Sequence, residues 1–341
     1  MTTIYLIRHG EAEGNLYRRI HGQFDSNITP LGKRQIAALS RRFASIPVDA
    51  CYASDLIRTQ TTAQAIYRPK GLPLQLEPRF REINLGVWED LTFGELYTFQ
   101  SEEMAVFNND PVHWQVEGSE NFETYSSRFV EALDEVAECH SGQTVAIFTH
   151  GSVLRGALMR LFPGAPIAHS DNTAVSCLTW EHGRYEIQFL NDNSHLDENL
   201  STLAKQRWWR EGGHAKDVNL WFRPGLTAID GLEPPAGEIA YTAYSEHTPV
   251  GLLVLNGSGE EKTGVLQYMG LSEPYRRMGL SVQLFGQAIY TFRALGMANM
   301  ELSLQSEDLA ALARQMELTC GEGDVCTVDL RYGVSQVDLT K

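Results

Sequence analysis

Ile4-Tyr5-Leu6-Ile7-Arg8-His9-Gly10-Glu11 decides the fold. An apolar run short enough for a buried parallel strand ends in a cation, an imidazole and a glycine, the order expected where a strand delivers reactive groups to the carboxyl edge of a sheet. The arrangement recurs at Val145-Ala146-Ile147-Phe148-Thr149-His150-Gly151, which leads into a helix-like stretch over 153–161. If the two strands are neighbours, their histidines face each other across one pocket.

Between and around these runs, strands alternate with helices. Thr29-Pro30-Leu31-Gly32 opens a helix with Thr as cap and Pro in first position, carried to about residue 45 by Ile36, Leu39 and Phe43. Residues 50–53 read as a second strand, Ser54-Asp55 as the cap of a helix to about residue 67, and 74–76 as a third strand after Gly71. Residues 12–30 read as polar and irregular, and 82–118 as loop-rich. A helix is expected over 121–139, and 174–180 with 185–190 alternate like a hairpin turning at His182-Gly183. The pattern predicts an α/β sandwich with a mostly parallel sheet.

The chain has 341 residues, enough for two domains, and 28 Lys and Arg against 43 Asp and Glu, a formal net charge of −15. That balance argues against nucleic acid or an anionic membrane as a general partner. Any anion site must come from a local cluster, and Arg8, Arg18, Arg19 and Arg58 are the candidates in the first half. The five cysteines form no C-x-x-C pair and read as reduced packing residues. Cys320 and Cys326 lie close in sequence, but two free thiols are favoured over a bridge. No apolar run reaches membrane-spanning length, and Met1-Thr2-Thr3 followed at once by a strand leaves no room for a signal peptide, so a cytoplasmic location is expected. A homodimer is left open.

Two facing histidines among arginines point to phosphoryl transfer. A neutral imidazole is a nucleophile toward phosphorus, and guanidinium groups pair bidentately with phosphoryl oxygens. Arg8 suits a clamp, and Arg58, at the start of a helix, a second one. Neither H-E-x-x-H nor a cysteine cluster occurs, so no metal is assigned.

The ordered set Arg8-His9-Gly10-Glu11, Asn15, Arg18 or Arg19, Gly22 to Asp25, Ser54-Asp55-Leu56-Ile57-Arg58-Thr59, Glu82 to Glu89, Gly118-Ser119-Glu120 and Thr149-His150-Gly151 resembles the histidine phosphatase superfamily with its phosphoglycerate mutase-like fold. The likeness covers about residues 1–195. It implies that His9 is the phosphorylated nucleophile, that Arg8, Arg58 and His150 bind the phosphate, that Asn15 and Arg18 contact substrate, and that Glu82 protonates the leaving oxygen. Of Arg18 and Arg19, one is expected to be solvated. Glu11, Glu89 and Glu120 are alternative carboxylates. His21, His113, His140, His169, His182 and His195 read as hydrogen-bonded structural residues, and Trp88 and Trp114 as packing. Mutases of that superfamily tend to be longer between the acid loop and the second His-Gly, so the compact 82–149 favours a phosphomonoesterase acting on a small phosphorylated metabolite. A non-catalytic sensor is the reading from another class.

After a junction over 199–219 with Trp208-Trp209, a second domain over 220–341 begins anew. A hairpin over 239–244 and 250–255, a strand over 264–271, a helix over 281–295, a strand over 300–304, a helix over 307–318 and a strand over 325–332 are expected. The turn Arg276-Arg277-Met278-Gly279-Leu280-Ser281 before a helix N-terminus suits a pyrophosphate. It is similar to the Q/R-x-x-G-x-G/A loop of GNAT acetyltransferases. The resemblance implies an α+β acyl-CoA acyltransferase fold with acetyl-CoA as co-substrate. Ser281 stands where Gly or Ala is usual, and the 307–318 helix lacks the customary tyrosine. Glu260 and Glu261 are the carboxylates noted before the strand, with no general base assigned.

Overall fold

The computed structural model describes residues 1–211, 217–258, 262–304 and 307–340; Glu260 and Glu261 lie outside them. Six strands form the first sheet: β1 (Thr2–Arg8), β2 (Ala50–Ala53), β3 (Leu74–Leu76), β4 (Thr144–Thr149), β5 (Val175–Glu181) and β6 (Arg184–Asp192), in the order β3-β2-β4-β1-β5-β6. The β3, β2, β4 and β1 strands run parallel, and the β5–β6 hairpin adds two antiparallel ones. Its two turn residues, His182 and Gly183, both have positive φ (51° and 76°), the backbone that matches strand twist in a tight hairpin.

Ile4, Leu6, Val145 and Ile147 pack beneath the helices Phe122–Cys139 and Gly151–Leu161. Ile7, Ala146 and Phe148, on the opposite face, meet the helices Pro30–Arg42 and Ile57–Lys70. Both faces are covered, which is why β1 and β4 read as near-continuous apolar runs.

Local chemistry departs from expectation in several places. Thr29 caps its helix as expected, accepting from the Gly32 amide. The next helix starts later than Ser54-Asp55. Leu56 is its N-cap, Asp55 is drawn off to Arg81, and the Ile57 amide donates instead to Asp25 Oδ1 from a distant loop. Residues 12–30 contain a short helix, Glu13–Tyr17, and 82–118 contain two, Phe93–Phe99 and Ser101–Asn109. Trp88 and Trp114 pack against each other with Phe107, an apolar anchor that holds those short helices down.

The second sheet, β12-β11-β10-β9-β8-β7, comprises β7 (Leu220–Pro224), β8 (Ile239–Ser245), β9 (Thr248–Ser258), β10 (Thr263–Leu271), β11 (Asn299–Ser303) and β12 (Val325–Asp329). Only β10 and β11 pair in parallel, from Thr263↔Asn299 to Leu266↔Leu302. Beyond that point β10 continues to Leu271 unpaired on that side among the described residues. The helix Ser281–Ala294 covers this sheet through Phe285, Ala288, Ile289 and Phe292. The β7 strand is absent from the sequence reading, being short and placed where the pattern was weak. Cys320 and Cys326 are disulfide-bonded, contrary to expectation. The Gly321–Gly323 turn brings the two residues into an isolated antiparallel bridge.

The two sheets share one buried seam. Tyr17, Leu16 and Phe24 of the first domain sit in the core around Phe285, Ile289 and Tyr290 of the second. Arg293 makes two 2.9 Å bonds to the Glu13 carboxylate, and both side chains are about nine-tenths buried. The final segment then returns to the first domain. Val337 is buried beside Ile36 and Ile66, and Gln64 bonds the Ser335 carbonyl and the Val337 amide. Residues 220–341 therefore do not form a self-contained unit.

Gly286 tests this seam, because a Cβ there would lie 2.5 Å from Tyr17 Cβ and Cγ. In an undocked helix Gly286→Ala stabilises by about 1 kcal/mol. In the docked molecule overpacking outweighs that gain, and a net loss of about 1–2 kcal/mol is expected; urea denaturation followed by far-UV circular dichroism reads the sign.

Candidate active site

Parallel register places the two histidines. Arg8 pairs with Thr149, so the next residues, His9 and His150, leave the sheet side by side, and the His9 amide donates to the Thr149 carbonyl. The ring centroids stand 5.3 Å apart. His9 Nδ1 is 2.7 Å from the Gly10 carbonyl oxygen, which can only accept. Nδ1 therefore carries the proton, and Nε2 of the neutral ring keeps its lone pair. The opposite tautomer holds at His150: Nδ1 accepts from Arg58 Nε at 3.1 Å, so Nε2 donates to Ser54 Oγ at 2.9 Å. Burial pushes His9 well below its ordinary value, with Arg58 and Arg8 adding to the effect; burial and then Arg58 do the same to His150. Both rings are neutral at pH 7.

Arg58 is almost wholly buried and donates to three acceptors: His150, the Phe24 carbonyl and the Gly22 carbonyl. Two of its five N–H bonds remain for the cavity that it lines. The carbonyls that hold it belong to a loop organised by Glu89, whose carboxylate accepts from the amides of Gly22, Gln23, Phe24 and Leu85. Gly22 is obligatory there, since a Cβ would collide with the Ile83 carbonyl oxygen and the Glu89 carboxylate. Arg8 bonds the Ser170 carbonyl, and its buried Nε has no partner among the described residues. Burial lowers the Arg8 and Arg58 values, yet a guanidinium stays charged under any working condition.

The cavity is about 130 Å³, and Arg8, His9, Arg58 and Glu82 are among the residues that line it. Glu82 sits at the start of the Gly151–Leu161 helix, where Ser152 and Val153 donate their amides to it. The other candidate carboxylates are spent elsewhere. Glu11 bonds Thr29, Glu89 ties the loop amides, and Glu120 pairs with Arg128. Asn15 also lines the cavity, its Oδ1 accepting from the Ala12 amide.

Two residues are placed differently from expectation. Arg18 adopts left-handed backbone (φ 58°) and turns away, bonding Asn219 and stacking on Phe93. Arg19 is the one that lines the cavity. His21, read as a structural histidine, also lines it; among the described residues neither ring nitrogen has a hydrogen-bond partner, and Asp90 Oδ1 stands 3.7 Å from Nε2. Its position beside Gly22 is the one clue the sequence held. Asn172, which donates to the His9 carbonyl, and Thr62, which accepts from the Gly10 amide, carry no sequence motif that marks them. Among the described residues no cluster of His, Cys, Asp and Glu has the makings of a metal site, and no helix is long and apolar enough to cross a membrane.

In the second domain, Arg276 to Gly279 lie exposed on the turn before the Ser281–Ala294 helix. Gly279 has φ +71° with open space around it, and Leu280, the N-cap, offers no side-chain acceptor to the first amides of the helix. Arg276 turns back to the Leu271 carbonyl and to Glu273. Such a turn presents backbone donors and cations to an anion.

Convergent imidazoles and guanidiniums at the edge of a parallel sheet define a phosphoryl-handling α/β protein. Residues 4–193 match the model of the histidine phosphatase superfamily (branch 1), and the chain belongs to that family. Residues 202–314 match the acetyltransferase (GNAT) family, so the chain joins the two domain types. It is 31% identical over 208 residues to the "Probable phosphoglycerate mutase GpmB" of Yersinia pestis, covering 58% of this chain and 96% of that one. Among solved structures, Bacillus stearothermophilus YhfR superposes with a TM-score of 0.55 at 30% identity, over 58% of this chain and all of that one. The alpha-ribazole phosphatase from Shigella flexneri does so with a TM-score of 0.50 at 25% identity, over 56% and 96%.

The buried imidazoles also set the pH response of the fold. Burial lowers His9, His21 and His150, and takes His169 and His195 down to about 4. Unfolded histidines take up protons near pH 6.5 and these folded ones do not, so stability present above pH 6.5 is lost as pH falls. The urea midpoint is expected to drop steadily between pH 7 and pH 5.5, above the range where most carboxylates titrate. A flat midpoint would mean that the folded rings protonate freely.

Proposed function

We propose that the first domain is a metal-independent phosphomonoesterase working through a phosphohistidine at His9, on a small phosphorylated metabolite. The observation that carries this reading is the tautomer of His9, which keeps an Nε2 lone pair for attack in a cavity that Arg8 and Arg58 also line.

In the first step His9 Nε2 forms a bond to phosphorus as the ester P–O bond breaks. Arg8 and Arg58 draw charge from the phosphoryl oxygens, His150, whose nitrogens are taken by Arg58 and Ser54, holds Arg58 in place, and Glu82 gives its proton to the departing alkoxide. In the second step water attacks the phosphohistidine, its proton passes to Glu82, and the P–N bond breaks to release phosphate and neutral His9. Asn15 lies beside the nucleophile as a substrate contact. Arg19 takes the place first given to Arg18. Transfer to a second hydroxyl in place of water would make the same site a mutase. The compact stretch between Glu82 and His150, with only two short helices and one long one, supports water as acceptor.

The purified protein is expected to hydrolyse p-nitrophenyl phosphate in excess EDTA, and His9→Ala to lower kcat by at least about a thousandfold. Rapid quenching should trap acid-labile phosphate on the wild-type chain and none on the variant. Equal turnover by both would overturn the mechanism, and binding without any trapped phosphate would favour a sensor.

For the second domain the proposed ligand is acetyl-CoA. The amides of 277–281 and the guanidiniums of Arg276 and Arg277 would hold its pyrophosphate, and the unpaired end of β10 offers backbone groups to the pantetheine arm. When bound, the thioester supplies the acyl group for transfer to an amine. Calorimetry should register acetyl-CoA binding that Gly279→Val weakens at least about tenfold, since a β-branched residue resists positive φ. The absence of heat at millimolar ligand would count against the assignment.

A further inference from the structure

The helix that follows the proposed pyrophosphate turn reaches residues that line the other domain's cavity. Gly286, Gln287, Tyr290 and Arg293 fall at spacings of three and four residues, so they share one face of Ser281–Ala294. That face meets the first domain. Gln287 Oε1 accepts from Arg19 NH1 at 3.0 Å. The Tyr290 ring lies under the Arg19 guanidinium, 4.6 Å from its carbon, and meets the His21 ring edge-on at 5.4 Å. Arg293 clamps Glu13 in the short helix that also carries Asn15.

Arg19 is bound on its other side by Asp90, through Nε to the carboxylate at 2.7 Å and through NH2 to the carbonyl. Its guanidinium is thus pinned between a first-domain loop and the second-domain helix. Arg19 and His21 line the same cavity as Arg8, His9, Arg58 and Glu82, together with the apolar Ile20, Leu85, Phe93 and Phe107. If phosphate is held by Arg8, His9 and Arg58, the organic part of an ester has the remaining wall to rest on.

We propose that the Ser281–Ala294 helix is a structural part of the phosphoester site, with Gln287 and Tyr290 as positioning residues that fix Arg19 and His21 where the leaving group binds. The second domain thereby helps select which ester the first domain accepts. This inference rests on the phosphatase reading above. It separates two quantities. Inorganic phosphate touches only the phosphoryl end, whereas an ester touches both ends. The leaving group has departed before water attacks, so hydrolysis of the phosphohistidine is indifferent to that wall.

Steady-state kinetics of the full chain with p-nitrophenyl phosphate, and with inorganic phosphate as competitive inhibitor, test it. Gln287→Ala is expected to raise KM for the ester three- to tenfold while kcat and the inhibition constant of phosphate stay within twofold. Gln287→Glu, which keeps an acceptor for Arg19, should restore KM. Adding Gln287→Ala to Arg19→Ala should change nothing further. Thermal melts confirm that each variant is folded, and Tyr290→Leu serves as a second variant with the same expected split. His9-dependent turnover with an unchanged KM, or KM and the phosphate constant rising together, overturns this inference alone. No His9-dependent turnover in the wild type overturns the phosphatase reading and this inference with it.

Discussion

A guanidinium buried with no carboxylate within salt-bridge distance among the described residues is the constraint on which the first domain depends. Burying Arg58 uncompensated would cost several kcal/mol. The fold offsets this with two backbone carbonyls and an imidazole nitrogen, all fixed acceptors. Those carbonyls stay in place because Glu89 holds four amides of the surrounding loops at once. The arrangement leaves Arg58 charged and only partly satisfied, ready for an anion. It also fixes the tautomer of His150, so a single buried cation dictates both the charge and the proton inventory of the cavity.

The same economy explains the choice of carboxylate. Four acidic residues lie in loops near the histidines, and three are already hydrogen-bonded in roles that hold the loops together. Glu82 alone among these four lines the cavity, its carboxylate oriented by the helix amides of Ser152 and Val153. A group positioned by backbone amides is held more firmly than one positioned by side chains alone.

The seam between the domains couples stability to site geometry. Glu13 and Arg293 form a bidentate pair in a nearly dry environment, where removing one partner leaves the other stranded. Tyr17 and Tyr290 add aromatic edges that set the helix at a fixed height against the cavity wall. The returning tail, with Val337 in the core of the first domain, closes the chain on itself.

The sequence by itself determined the strand-His-Gly repeat, the alternation of strands with helices and the two-domain layout, because burial on both faces of a parallel sheet imposes apolar runs that punctuation residues delimit. The basic turn before Ser281 was legible for the same reason, as a local departure from a periodic pattern. Only the tertiary structure decided between Arg18 and Arg19, where one left-handed residue reverses which side chain faces inward. It alone brought His21 to the cavity, placed Glu82 on its lining while Glu11, Glu89 and Glu120 bond elsewhere, and set a second-domain helix against Arg19. These outcomes depend on which distant groups compete for each polar atom, and that competition is settled by packing across sequence separations that no local pattern encodes.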